Sequence, residues 1–259
     1  MKPGVVLRVI LMRDLAMMKR YYLNTVSSLV TIYVVFLITF VGMRAFTGVA
    51  TSLAGSDTLE ATIVGFFVWT LTIFAYSDFS WGLINEAQTG TLEQLYLCPL
   101  GFRWIGAFTI ISNLVFSLIP IFVALIAMML TAGRWLSIDV ITLVPLIVIS
   151  ILGAVGVGFV LGGLALVFKR VQSLFQIVQF LFIGTMTMPQ RLWWARLLPV
   201  NAGFGLIRTS MIDGVRLWEL PLGEVAIALL VGLAYLGIGI GVFSACERAA
   251  KSRGLLGHY

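Results

Sequence analysis

The chain has 259 residues, of which 60% are hydrophobic and 11% are charged, and its formal net charge is +6. A soluble domain usually contains about 25% charged residues. The 17 basic and 11 acidic side chains are too few to cover a soluble protein of this length, so the composition indicates an integral membrane protein. The basic residues flank apolar runs instead of forming a separate stripe, and we therefore expect no nucleic-acid partner.

Residues 1–20 are predicted to form a helix that lies at the membrane surface. Leu7, Leu11, Leu15 and Met18 recur at helical spacing, and the basic residues avoid this stripe. Such a pattern is typical of an interfacial amphipathic helix in contact with membrane lipid. A solvated flank without a membrane contact is the alternative.

Six stretches without a charged residue follow, and we interpret each as a transmembrane helix. A helix needs about 20 residues to cross a hydrocarbon core of about 30 Å, and the second stretch reaches this length when residues 80–84 beyond Asp78 are added. None shows the alternation of barrel strands, so the sequence predicts an all-α membrane protein with one transmembrane domain over residues 1–259. The six stretches are 21–43, 61–77, 104–133, 140–168, 171–190 and 225–246.

Lysine and arginine residues predict the orientation. With the N-terminus in the cytoplasm, eleven of the seventeen basic residues fall on the cytoplasmic side, including all four lysines. The short outer loops then contain only Arg44 and Arg134. Because cytoplasmic flanks carry an excess of basic residues, we expect a multi-pass protein with both termini in the cytoplasm.

The segment 84–100, between the second and third spans, has the composition of a short amphipathic helix on the cytoplasmic face. Leu92, Leu95 and Tyr96 provide an apolar side at helical spacing, while Glu93 points elsewhere. A helix held flat there is well placed to receive force from a partner protein. A plain connecting loop is equally compatible with the residues.

Polar and aromatic positions within the spans predict a transport path. Polar side chains are costly in lipid and turn toward a bundle interior or a water-filled cavity, although hydrogen bonding between helices is the alternative for them. The aromatic positions are equally compatible with lipid-facing packing. No ring of charges accompanies these positions, which favours a lipophilic or amphiphilic cargo over a simple ion. The candidate lining residues are Gln172, Gln176, Gln179, Thr31, Thr39, Phe66, Trp69 and Phe74.

Two glycine pairs and one acid stand out within the spans. Gly158-x-x-x-Gly162 and Gly237-x-x-x-Gly241 permit close helix approach, and we expect packing within one chain rather than between two copies. Asp78 interrupts the second span near its cytoplasmic end, where we expect it to be hydrated.

Two motifs suggest a family. Glu86-x-x-x-Gly90-Thr91-Leu92-Glu93, followed by Leu95 and Pro99, resembles the signature of the ABC type-2 permeases, the membrane subunits of exporters. The run Leu198-Pro199-Val200-Asn201 through Arg208 to Gly214 is similar to the family's outer re-entrant helical hairpin, here within 189–223, with the usual Asn-Pro order reversed.

The resemblance implies an exporter subunit of a bacterial or archaeal plasma membrane that works as a dimer, most simply a homodimer of this chain. It also implies that an ATP-binding cassette subunit docks on the coupling helix. The chain has no phosphate-binding loop, so ATP and magnesium would be bound by that partner, and we expect no enzyme activity, cofactor or metal site on this chain. The implied docking residues are Glu86, Gly90, Thr91, Leu92, Glu93 and Gln94.

Two alternatives remain at this point. Within exporters, a permease for a surface polysaccharide or lipid-linked glycan is the alternative, since Arg13-Asp14-Leu15 and Arg20-Tyr21 resemble that branch. An intramembrane enzyme is the other class. It is disfavoured because the spans contain no His-Glu-x-x-His, no paired aspartates and no Gly-x-Ser-x-Gly.

Overall fold

Helices form wherever the sequence has long apolar runs, because a helix bonds every backbone N–H and C=O within its own segment. The computed structural model describes residues 3–47, 56–88, 102–168, 171–188 and 192–252. These residues contain eight α-helices, a single 3₁₀ turn and no strand, which confirms the all-α class. The helices are α1 Pro3–Arg20, α2 Tyr22–Thr47, α3 Ser56–Gln88, α4 Phe102–Ala132, α5 Val140–Val167, α6 Gln172–Thr187, α7 Asn201–Asp213 and α8 Leu222–Ser252, with the 3₁₀ turn at Ala195–Leu197.

Five of the six predicted spans are present as helices long and apolar enough to cross a membrane, and α6 is the exception. Its 16 residues cover about 24 Å, less than the hydrocarbon core of about 30 Å. The helix ends before the predicted boundary at residue 190. Pro189 disfavours helical backbone at the residue before it, and Met188 is indeed extended, with φ −69° and ψ 132°.

The directions of α5 and α8 require the chain between them to turn back. Gly156 of α5 packs on Tyr235 of α8, and Gly163 packs on Phe243, so the residue numbers increase together and the two helices run parallel. Helix α6 and the residues after it make the return. Residue Phe175 contacts Trp81 of α3, and the later residue Phe182 contacts the earlier Tyr76, so α6 runs antiparallel to α3.

One end of the bundle, which we call the hairpin end, is formed by residues 133–142 and 192–221. The Ser137 N–H donates to the Met211 carbonyl at 2.9 Å, and the Leu217 N–H donates to Thr142 Oγ1 at 3.1 Å. Exposed tryptophans lie in these segments, as in an interfacial aromatic belt; they are Trp135, Trp193, Trp194 and Trp218.

The opposite end, which we call the α1 end, contains α1 and the last turns of α3, α5 and α8. Ser112 donates to Asp14 at 2.6 Å and joins α1 to the first half of α4. Near the end of α8, Lys251 pairs with Glu247 at 2.7 Å. Because α5 begins at the hairpin end and α8 runs parallel to α5, the end of α8 lies at the same end of the bundle as the N-terminal helix.

Helix α1 confirms the predicted N-terminal helix but packs against a neighbour. Ile10 is buried, and Leu7, Leu11 and Met18 are half-buried against the bundle, where α4 is the main contact. Leu15, predicted in the same stripe, is 39% exposed. The location of this helix at a membrane surface stays a prediction.

Helix α5 forms the centre of the bundle and packs on α3, α7 and α8. The prediction for Gly158 is confirmed: a Cβ there would lie 2.7 Å from the Tyr76 carbonyl oxygen of α3. The prediction for Gly237 and Gly241 is wrong, because a Cβ at either position meets no atom within 4 Å. Those glycines sit on the opposite face of α8 from the one that meets α5.

Candidate functional site

A largely apolar cavity of about 410 Å³ opens between α2, α3, α6 and α7, and we call it the apolar cavity. Helix α3 forms its floor, while α2 and α6 stand on either side and hardly touch each other over the described residues. Ligand sites are commonly concave, mostly apolar and about 300–1,000 Å³ in volume. The lining residues are Val35, Thr39, Ala61, Thr62, Gly65, Phe66, Trp69, Ile183, Met186 and Phe204.

The chemistry of the apolar cavity is that of a site for an uncharged or weakly polar group. Its described lining contains no charged side chain, and the polar side chains in that lining are Thr39, Thr62 and the Trp69 indole. The Thr39 hydroxyl already donates to the Val35 carbonyl of its own helix at 2.9 Å. The Trp69 Nε1–H is buried and has no acceptor among the described residues, which is costly for a donor.

Aromatic packing holds the wall of the apolar cavity in place. Phe36 of α2 meets Phe66 of α3 edge-on, with ring centroids 5.6 Å apart. Phe66 in turn meets Trp69 edge-on at 5.0 Å. Edge-to-face pairs at these separations are favourable beyond their burial, so these contacts stabilise the aromatic wall of the cavity.

The structure brings together three of the eight predicted lining residues, namely Thr39, Phe66 and Trp69. Phe74 lines a second cavity near Asp78. Thr31 is exposed on α2, and its hydroxyl donates to the Ser27 carbonyl at 2.8 Å within the same helix. The predicted single path is therefore divided between two separate cavities and the outer surface of α2.

The glutamines of α6 point away from the core of the bundle. Phe175 and Phe182 are 5% and 3% exposed and form the buried face of this helix. Gln172 and Gln176 are exposed and Gln179 is half-buried. None of them lines the apolar cavity, and hydrogen bonding to other described helices, the alternative considered above, is not found for them.

Sequence reasoning missed the residues that close the apolar cavity from α6 and α7. Ile183 and Met186 are ordinary apolar residues, and Phe204 belongs to a helix outside the predicted spans. Gly65 was also missed. A Cβ built at this position would meet no atom within 4 Å, so this glycine borders open space. An apolar side chain in an apolar helix carries no local signal for such a role.

Helix α7 brings Phe204 into the bundle because the chain makes a tight turn at Val200 and Asn201. Val200 has φ +73°, which is uncommon for a β-branched residue. The buried Asn201 side chain donates to the Ala195 carbonyl at 2.8 Å and closes the turn. The reversed Pro199-x-Asn201 order is therefore compatible with a closed turn before a helix.

The start of α7 lies deep along α5. A Cβ on Gly203 would lie 2.6 Å from Ser150 Cβ, and Ser150 is ten residues, about 15 Å, from the first residue of α5. From there α7 returns to the hairpin end, where the Met211 carbonyl accepts from Ser137. Of the predicted hairpin 189–223, the described part has one helix of 13 residues and one turn of 3 residues.

The predicted docking segment is described only at its beginning. Helix α3 continues to Gln88, so residues 84–88 are the last turns of a long helix rather than part of a separate short one. Glu86 is half-buried there. Gly90, Thr91, Leu92, Glu93 and Gln94 lie outside the described residues.

Comparison of the chain with protein-family models and with curated proteins finds no match.

Proposed function

We propose that this protein is the transmembrane subunit of an ATP-driven exporter of the ABC type-2 class. Its cargo is a lipophilic or amphiphilic small molecule, and a separate ATP-binding subunit supplies the energy. The proposed class of cargo rests on the apolar cavity, because its described lining is uncharged and partly aromatic and its volume is about 410 Å³. The coupling to ATP rests on the Gly90-Thr91-Leu92-Glu93 motif.

A second copy of the chain completes the site in this proposal. The apolar cavity is open between α2 and α6, and both helices expose large apolar side chains beside it, including Ile38, Phe180 and Leu181. The exposed Gln172 and Gln176 also lie on α6. Two protomers facing each other across α2 and α6 would bury these residues and enclose a path for the cargo.

The position of the docking segment supports a cytoplasmic partner. Residues 89–101 join the end of α3 to the start of α4, and both lie at the α1 end. The same end carries Lys19 and Arg20 of α1, together with Arg248 and Lys251 of α8. Because basic residues favour the cytoplasmic side, we assign the α1 end to the cytoplasm, where a soluble ATP-binding subunit reaches the segment.

A glycan cargo is less well supported by the apolar cavity. A sugar chain presents many hydroxyl groups, and a site built for them needs many hydrogen-bonding partners. The cavity lining contains two threonines and one indole as its polar side chains. The lipophilic cargo is therefore our first choice.

Charge reversal at Glu93 tests the coupling. Reversal of one exposed charge changes stability by about 0.5 kcal/mol or less, whereas like charges juxtaposed in an interface cost several kcal/mol. We expect Glu93→Arg to fold normally, to lose copurification with its ATP-binding subunit and to lose ATP-driven transport. Asp213→Arg, the same charge change at the exposed last residue of α7 at the hairpin end, is the matched control and should retain both. Normal copurification and transport in Glu93→Arg would reject the docking assignment.

A further inference from the structure

A second cavity, of about 370 Å³, opens between α1, α2, α3 and α4 toward the α1 end, and we call it the polar cavity. It shares no lining residue with the apolar cavity. Polar side chains from three helices converge on it. These side chains are Asn24, Thr25 and Ser28 of α2, Asp78 of α3, and Asn113 and Ser117 of α4.

Asp78 is the charged residue of the polar cavity, and it has no counterion in the part of the chain that the structure describes. None of the ion pairs found there includes it, and the described lining of the cavity contains no lysine, arginine or histidine. An acid within a transmembrane helix without a partner is costly and points to a functional role. A cationic occupant would supply the missing charge.

The rest of the polar wall also contains hydrogen-bond acceptors. Each of Asn24 and Asn113 offers a carbonyl oxygen, and the cavity reaches Pro120 of α4. A proline inside a helix cannot donate to the carbonyl four residues earlier. That carbonyl belongs to Phe116, which lines the same cavity, so the intrahelical bond that normally ends on it is missing.

The size and the apolar part of the wall exclude a bare metal ion as the intended occupant. A volume of about 370 Å³ would hold about a dozen waters at about 30 Å³ each. Phe74, Leu29 and Ile32 form an apolar wall beside the polar groups. Aromatic faces also favour organic ammonium groups. An ammonium group attached to an apolar body matches both parts of the lining.

The mouth of the polar cavity lies beside a basic helix end. Tyr21 is 51% exposed, and the Arg20 guanidinium lies 5.8 Å from the centre of its ring. An amphiphile that also carries an anionic group, such as a zwitterionic phospholipid, would place its ammonium near Asp78 and its anion near Arg20. A soluble alkylammonium ion would use Asp78 alone.

We propose that the polar cavity binds an ammonium-bearing amphiphile, with the Asp78 carboxylate as its counterion. The test uses the purified full-length chain in phosphatidylglycerol nanodiscs and does not need the ATP-binding subunit, so it is independent of the exporter assignment. Dicyclohexylcarbodiimide modifies accessible carboxyl groups in apolar surroundings, and mass spectrometry locates the product. We expect octyltrimethylammonium to protect Asp78, and octanol, which has the same chain without the charge, to leave it reactive.

Equilibrium binding of radiolabelled octyltrimethylammonium gives the second measurement. Loss of a charge-assisted contact should weaken binding by about ten- to hundredfold in Asp78→Asn. Asp78→Glu should restore most of the affinity, and the control Asp213→Asn at the other end of the bundle should not change it. Equal protection by octanol, absence of protection by either compound, an unreactive Asp78 or unchanged affinity in Asp78→Asn would overturn the proposal.

The lipid composition of the nanodiscs distinguishes two sources of the ligand. Nanodiscs that contain phosphatidylethanolamine carry the ammonium group in the membrane itself. If they protect Asp78 without added octyltrimethylammonium, the ligand is a resident lipid headgroup. If only the soluble cation protects, the ligand enters from solution. Either result upholds the ammonium site.

Discussion

The backbones of Gly156 and Gly239 are in direct contact. A Cβ added to Gly239 of α8 would lie well under 3.0 Å from the Gly156 carbonyl group of α5. A Cβ on Gly156 would in turn meet the backbone of Tyr235 and Leu236. The obstructing atoms are main-chain atoms, which cannot move aside as the end of a flexible side chain can. This contact holds together the two parallel helices between which the chain turns back.

We expect Gly239→Ala to destabilise the bundle by about 1–3 kcal/mol, the usual cost of an overpacked contact. Gly237→Ala is the matched control on the same helix, because a Cβ there meets nothing within 4 Å. It should leave the melting temperature unchanged or raise it, since alanine favours a helix over glycine by about 1 kcal/mol. Thermal melts of both purified variants make the comparison, and equal melting temperatures would contradict the close packing.

Ser80 joins α3 to α5 from a fully buried position. Its Oγ lies 2.7 Å from the Gly158 carbonyl oxygen and 3.1 Å from the Tyr76 carbonyl oxygen of its own helix. We expect Ser80→Ala to lower the unfolding free energy by about 0.6–2 kcal/mol, the range for hydrogen bonds between membrane helices. Ser252→Ala removes an exposed hydroxyl bonded within α8 and should have almost no effect. A stability in Ser80→Ala equal to that of this control would show that the contact between the helices is energetically neutral.

Gly65 faces open space in the apolar cavity, because no atom lies within 4 Å of a Cβ built there. We expect Gly65→Leu to fold and to assemble with the ATP-binding subunit, but to reduce or narrow transport by occupying the space that cargo uses. The measurement is ATP-driven uptake of a panel of lipophilic dyes into inverted vesicles. Gly82→Leu lies on the same helix, also in open space, and should transport normally. An unchanged dye profile in Gly65→Leu would separate the cavity from the path.

Gln176 is exposed on the protomer surface, so its replacement tests the path between two copies. We expect Gln176→Leu to change the transport rate or the range of cargo while the dimer still assembles. The protomer stability should change by about 0.5 kcal/mol or less, because no described helix bonds to this side chain. A lower melting temperature with unchanged transport per dimer would instead assign Gln176 to helix association.

The orientation of the bundle is testable at two exposed positions in a cysteine-free background. Trp218→Cys lies at the hairpin end, and Lys251→Cys lies at the α1 end. We expect an impermeant maleimide to label the first in intact cells and the second only after permeabilisation. The opposite labelling pattern would invert the topology and would remove the docking segment from the cytoplasm.

The sequence alone was sufficient for the class of the fold and for the approximate location of most helices. Uncharged runs of about 20 residues become helices because no other backbone conformation satisfies its own polar groups in lipid. The early end of α6 was also predictable from the sequence, since Pro189 disfavours helical backbone at Met188. The span was instead predicted to reach residue 190 because only the positions of charged residues were used to set its bounds.

Only the tertiary structure decided which helix faces meet. The Gly-x-x-x-Gly spacing selected Gly237 and Gly241, whereas the contact with α5 uses Gly232 and Gly239, which lie seven residues apart on another face of α8. Every face of such a helix is apolar, so the composition does not distinguish the buried face from the one that faces outward.

The lining of the apolar cavity was only partly predictable from the sequence, because it also depends on which helix faces meet. Thr39, Phe66 and Trp69 were recognisable from the sequence, but Met186 and Phe204 join them only because α6 turns back along α3 and α7 enters beside α5. These residues are more than one hundred positions from Phe66 in the chain. Their meeting depends on the rotation and depth of each helix, which are set by backbone contacts such as Gly203 on Ser150 and not by any local pattern of residues.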